Sequence, residues 1–187
     1  MNTTQSFTLA GTTALLVVAL TVGGSAAKAA DGPSDSQIVG IVLTADQIDI
    51  DYGMIAISKS KNKAVREFAQ RMIADHGAVQ KSVIELAAKL GVQGTDSSVS
   101  DSLKAGALDI TAKLNSLGGK DFDKFYIDNE VNYHKAVTDA VQGVLIPNAQ
   151  NAELKSALEG AQPLFLKHLE HARMVQHGEG DTLRHGD

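Results

Sequence analysis

Four rows of apolar residues at helical spacing run through this chain, and each is interrupted by a group that can ionise. Asp49 follows Ile38, Val42 and Ala45 and precedes Tyr52 and Ala56. His76 stands between Met72 and Val79. Glu130 and His134, four residues apart on one helical face, separate Ile127 from Val137. His168 falls between Phe165 and Ala172. Imidazole and carboxylate together ligate first-row transition metals, so the set Asp49, His76, Glu130, His134 and His168 fits an iron, manganese, zinc or copper ion. The same groups can instead satisfy one another as a buried network of His–Asp and His–Glu hydrogen bonds. These groups are expected to partner one another, a bound metal or water, because burying an ionised group without a partner costs on the order of several kcal/mol.

These residues need helices to carry them. The rows predict a helix over 37–58, a second over 62–90, a third over 122–144 and a fourth over 152–175. Asp35 or Ser36 is placed to cap the first, Asp121 the third, and Gly91 to stop the second. Gly40 and Gly53 weaken the first helix but permit a neighbour to approach closely. Residues 101–117 read as a shorter, less regular helix ended by Gly118-Gly119. Pro163 is expected to kink or divide the fourth helix near Ala161. Short polar connections at 59–63 and 146–151 pair the helices into two antiparallel hairpins, and the longer connection between the pairs holds the extra helix. This pattern predicts an all-α four-helix bundle over residues 37–176.

The rise of 1.5 Å per residue sets Asp49 and His76 at levels about 6 Å apart, but His134 and His168 roughly 10 Å apart. On that count the ligands do not all converge, and Glu130, with His171 one turn on, is offered to His168. Tyr52, Tyr126 and Tyr133 are expected to bring their hydroxyls near the polar layer. His177 and His185, in a polar tail over 177–187 without periodicity, read as solvated.

Composition narrows the function. The chain has 187 residues, no cysteine and a formal charge of −5. Thiol nucleophiles, zinc–thiolate sites and disulfides are excluded, and the acidic balance argues against nucleic acid and anionic membrane surfaces as partners. No glycine-rich phosphate loop or nucleophile elbow occurs. The pair Glu-x-x-His, which marks di-iron carboxylate bundles, is also missing, which argues against an oxidase or catalase. No catalytic residue is assigned.

Within residues 1–30 the one charged side chain is Lys28. The apolar run from Leu9 to Val22, followed by Ala27-Lys28-Ala29, reads as a secretory signal cut after Ala29, with residues 30–36 as a polar linker. That reading places the mature protein in the periplasm or outside the cell, without a membrane span. An uncut segment would anchor it to the envelope.

The segment Phe68 to His76, FAQRMIADH, resembles the Phe-Ala-x-x-Met-x-x-Asp-His motif of the DUF4142 family. The segment from Phe122 to His134 and the one from Pro163 to Ala172 are similar to two further motifs of that family. The resemblance covers residues 37–176 and implies an exported bacterial protein of ferritin-like helical fold. The family commonly has Glu on the first helix where this chain has Asp49, one methylene shorter. Two functions follow as expectations: a metal-binding bundle, or an envelope or stress-related protein without enzymatic activity whose histidines are structural. A protein partner or a second copy of the chain is compatible with either.

Overall fold

A computed structural model describes residues 32–178. The described residues form helices and no strand. In chain order these are α1 (Asp35–Lys59), α2 (Lys63–Leu90), α3 (Ser98–Ser116), α4 (Gly119–Ala140), a π-helical segment (Val141–Leu145), the single turn α5 (Ile146–Asn148) and α6 (Ala152–Gln176). The expected signal segment, residues 1–29, and the tail beyond Gly178, His185 included, lie outside the described residues. None of the described helices is long and apolar enough to cross a membrane.

Local chemistry sets the helix ends. Asn62 and Asn151 cap α2 and α6 by accepting the first free backbone N–H groups through their side chains. Gly91 closes α2 in the left-handed region at φ 65°, where a Cβ would be strained. The cap of α1 is neither Asp35 nor Ser36 but Ser34, in a reciprocal capping box with Gln37. Asp35 is thereby freed to accept the backbone N–H groups of Gln150 and Asn151 at 2.8 and 3.0 Å. Residues 35 and 36 therefore belong to the folded body, where a linker was expected. Gly118 takes the cap position of α4 without a side-chain bond, and Asp121 falls inside the first turn.

Two expectations about helix continuity need correction. Pro163 does not divide α6, which runs through it as one helix. It lies on the exposed face, so the Glu159 carbonyl that loses its donor can be satisfied by water. The third predicted helix does not run regularly to Val144. From Val141 it widens to a π-helix, which turns later residues off the α-helical register. Val141 stays buried, while Val144 is 40% exposed.

α1 packs chiefly on α2, α4 on α6, and α3 covers α1. Two apolar clusters result. One gathers Tyr52, Phe68, Met72, Leu114, Phe122 and Tyr126. The other gathers Ile38, Val42, Val141, Leu154, Leu158 and Phe165. On α1, α2, α4 and α6 alike, the boundary between the clusters falls at the ionisable residues. The functional candidates thus form one polar layer sandwiched between apolar ones.

The loop before α3 lies against Gly40, with the Thr95 N–H bonded to the Ser36 carbonyl at 3.0 Å. A Cβ at Gly40 would collide with the Thr95 carbonyl, whereas one at Gly77 meets open space. Gly40→Ala is therefore expected to cost about 1–3 kcal/mol, despite better helix propensity. Gly77→Ala should gain up to about 1 kcal/mol. Urea denaturation of the two variants should show shifts of opposite sign.

Candidate metal centre

α1 contributes two carboxylates three residues apart, and both face α2. Asp46 Oδ1 lies 2.7 Å from His76 Nδ1, and Asp49 Oδ2 lies 2.9 Å from His76 Nε2. His76 is 2% exposed and Asp49 fully buried. Burial by itself lowers the basicity of the His76 ring. The two carboxylates outweigh it and lift its pKa to about 10. Burial likewise opposes ionisation of Asp49, but His76 and His134 hold it below the usual carboxylate range. Asp46, for which burial prevails over its bond to His76, is shifted upward.

α4 supplies His134 and Glu130, both fully buried. His134 Nδ1 sits 3.0 Å from the backbone carbonyl of Glu130. A carbonyl only accepts, so Nδ1 carries the hydrogen and Nε2 keeps its lone pair. That Nε2 is 3.4 Å from His76 Nε2 and 3.2 Å from Asp49 Oδ2. Burial lowers the His134 pKa; the attraction of Asp49 opposes this and the charge on His76 reinforces it. Burial, and then the neighbouring Asp49, push the Glu130 carboxyl well above its ordinary range. The Glu130 carboxyl faces that of Asp49, and its Oε2 lies 3.5 Å from His134 Nδ1.

α6 supplies His168. Its Nε2 donates to Asp75 Oδ2 at 2.9 Å, which leaves Nδ1 buried without a partner. Burial lowers the His168 pKa to about 4, against the pull of Asp75. The ring centre lies 5.1 Å from that of His76 and 5.3 Å from that of His134.

One nitrogen from each of His76, His134 and His168 falls within 4.8 Å of the others, and one ligand atom from each of Asp49, Glu130 and His134 does the same. His134 is common to both sets. The 3.4 Å separation of the two Nε2 atoms matches the edge of a tetrahedron with metal–nitrogen bonds of about 2.1 Å. All five residues expected from the sequence are therefore gathered in one layer.

The expected division of the set does not occur. His168 meets His76 and His134, while its acidic partner is Asp75 and not Glu130. His171 turns to Phe68, with ring centres 5.1 Å apart. The count of levels fails because the π-helical segment and α5 break the uniform rise between α4 and α6. Two residues of the layer were missed. Asp46 lies one position off the Ala45–Asp49 row, and its signal was the i,i+3 spacing to Asp49. Asp75 was visible beside His76 but projects towards α6. Among the tyrosines, Tyr133 donates to the Ala45 carbonyl at 2.9 Å. Tyr126 buries its hydroxyl without a partner one turn before Glu130. His177 is exposed at the end of α6.

The chain belongs to the DUF4142 family, described as a domain of unknown function, whose model matches residues 20–175. Comparisons with curated proteins and with solved structures found no match.

Proposed function

Starting from membership of that family, we infer that the protein is an exported, ferritin-like four-helix bundle that binds one transition metal ion in its polar layer. His76, His134 and His168 are its ligands, with Asp49 or Glu130 completing the shell. The observation that carries this reading is the disposition of the imidazoles. His76, His134 and His168 are each fixed through one nitrogen by an acceptor, Asp46, the Glu130 carbonyl and Asp75 respectively. The other nitrogens of His76 and His134 lie 3.4 Å apart, and one nitrogen of His168 falls within 4.8 Å of a nitrogen on each ring. Orientation of a ligating imidazole through its far nitrogen is the usual outer-shell arrangement of protein metal sites. The unpartnered His168 Nδ1 is a group that a cation would satisfy.

Three nitrogens and a carboxylate suit iron, manganese, zinc or copper, and availability in the compartment selects among them. Such an ion would supply Lewis-acid or, for iron, manganese and copper, redox capacity. The protein's share is to orient the three rings, hold Asp49 ionised and keep water from the layer. The export reading rests on residues 1–29, and protein recovered from the periplasm is expected to begin at Ala30.

A second reading, a structural network in a non-enzymatic envelope or stress-related interaction protein, is favoured by one observation: His76 already bridges two aspartates. Calorimetry and thermal melting separate the readings. At a free metal concentration a hundredfold above the Kd, binding adds about 2.7 kcal/mol. For a domain of this size that raises the Tm by roughly 5–10 °C. A structural network predicts no heat of binding and an unmoved Tm with each of the divalent ions.

A further inference from the structure

An apolar cavity of about 220 Å³ lies beside the polar layer. Its inner end is made by Asp46, His76 and Phe165, and its walls include Leu103, Val137 and Leu145. The exposed lining residues Val99 and Ala136 put its opening between α3 and α4. Phe165 closes it on the far side and stacks on the His76 ring, with centres 5.7 Å apart and planes within 10°. Val141 and Leu145 line it from the π-helical segment. That segment turns both side chains inward and carries Val144 out to solvent. Such insertions recur at functional sites.

Size and chemistry define the ligand. An apolar cavity of about 150 Å³ in a protein core stays dry and binds benzene or xenon. This one is larger and has an open mouth. A charged or strongly polar molecule would lose its hydration on entering and meet apolar walls almost everywhere, with polar groups confined to the inner end at Asp46 and His76. We propose that the cavity is a binding site for a small, uncharged, apolar molecule no larger than one substituted benzene ring, seated against the His76–Phe165 pair. The proposal stands on the cavity alone and does not require a metal in the polar layer.

The test uses the metal-free full chain with xenon and benzene as probes. Xenon-pressurised crystals are expected to show xenon between α3 and α4. Benzene titration followed by NMR should move the signals of Val137, Val141, Leu145 and the His76 ring together. Val137→Phe fills the cavity and should abolish both effects. Ala140→Leu fills the same wall more gently and should weaken both, and far-UV circular dichroism confirms that each variant is folded. The proposal is overturned if xenon stays out of the cavity and benzene moves none of these signals. It is equally overturned if a folded filled variant responds to benzene as the original does, or if crystals without xenon show a chain of ordered waters along the cavity. Absence of metal uptake alongside xenon binding would defeat the proposed function and leave this site standing.

Discussion

Replacing His134 with alanine is expected to abolish stoichiometric metal binding and, with it, the metal-induced rise in Tm. His134 belongs to both ligand sets, and its Nε2 lies 3.4 Å from His76 Nε2 and 3.2 Å from Asp49 Oδ2. Its loss removes the residue that the imidazole group and the carboxylate group have in common. Affinity should fall by more than the roughly 10–100-fold that loss of a merely orienting partner costs. Asp75→Asn should fall within that smaller range, since Asp75 acts on the ion only through His168. His171→Ala should bind as the original protein does, because His171 faces Phe68 outside the layer. The alanine at 134 also leaves Asp49 with one imidazole where it had two, and a void against Phe68. The metal-free variant should therefore lose about 3 kcal/mol by urea denaturation. His168→Asn, at the edge of the layer, tests the same claim with a smaller burden on folding. Undiminished calorimetric binding in folded His134→Ala would remove the proposed centre.

In the metal-free protein, stability should pass through a maximum near pH 6.5 and fall on both sides. His76 titrates at about 10 when folded, against 6.5 as a free side chain. The folded state therefore binds the extra proton between those values. The stabilisation is complete below pH 6.5 and lost as pH rises through 10, on the order of 5 kcal/mol for the whole shift. His168 has the opposite sign. Its folded pKa is about 4, so its contribution is present above pH 6.5 and lost as pH falls towards 4, roughly 3 kcal/mol. Glu130 and Asp46, shifted upward, lose their contribution as pH rises from the ordinary carboxylate range and so make the acid limb the shallower one, while Asp49, shifted downward, loses its own only below pH 3.8. Urea midpoints between pH 4 and 10 should trace this dome, and His76→Gln should flatten its alkaline limb. A midpoint unchanged from pH 7 to 9 would contradict the placement of His76 between two carboxylates. Metal binding runs the other way. An ion must displace the His76 proton, so affinity should tighten as pH rises through the same range.

How much of this was legible in the sequence depends on periodicity. The rows around Asp49, His76, Glu130, His134 and His168 marked the helices and the polar layer together, because each residue interrupts a run of 3.6-residue spacing. Every helix that carries them was recoverable from that spacing, and Gly91 as the end of α2 from residue type. Where the period breaks, the reading failed. The π-helical segment at 141–145 has no distinct composition, so it hid the exposure of Val144 and the approach of His168 to His134. Asp46 and Asp75 were hidden for another reason. They sit beside the seams and serve histidines on other helices, a pairing that no single helical row encodes. The difference between a metal centre and a hydrogen-bonded network is not written in spacing at all, since both need the same groups in the same layer. It lies in which ring nitrogens are committed to acceptors and which are left to converge.

Diffraction from crystals of the full chain, purified from its own compartment without chelators, at the absorption edges of manganese, iron, copper and zinc, tests the central claim most directly. The account predicts a single anomalous peak about 2.1 Å from His76 Nε2, His134 Nε2 and His168 Nδ1, with Asp49 or Glu130 completing the shell. No peak at any of the four edges, with His76 Nε2 still paired to Asp49 and facing His134, would contradict it and leave the layer as a structural network.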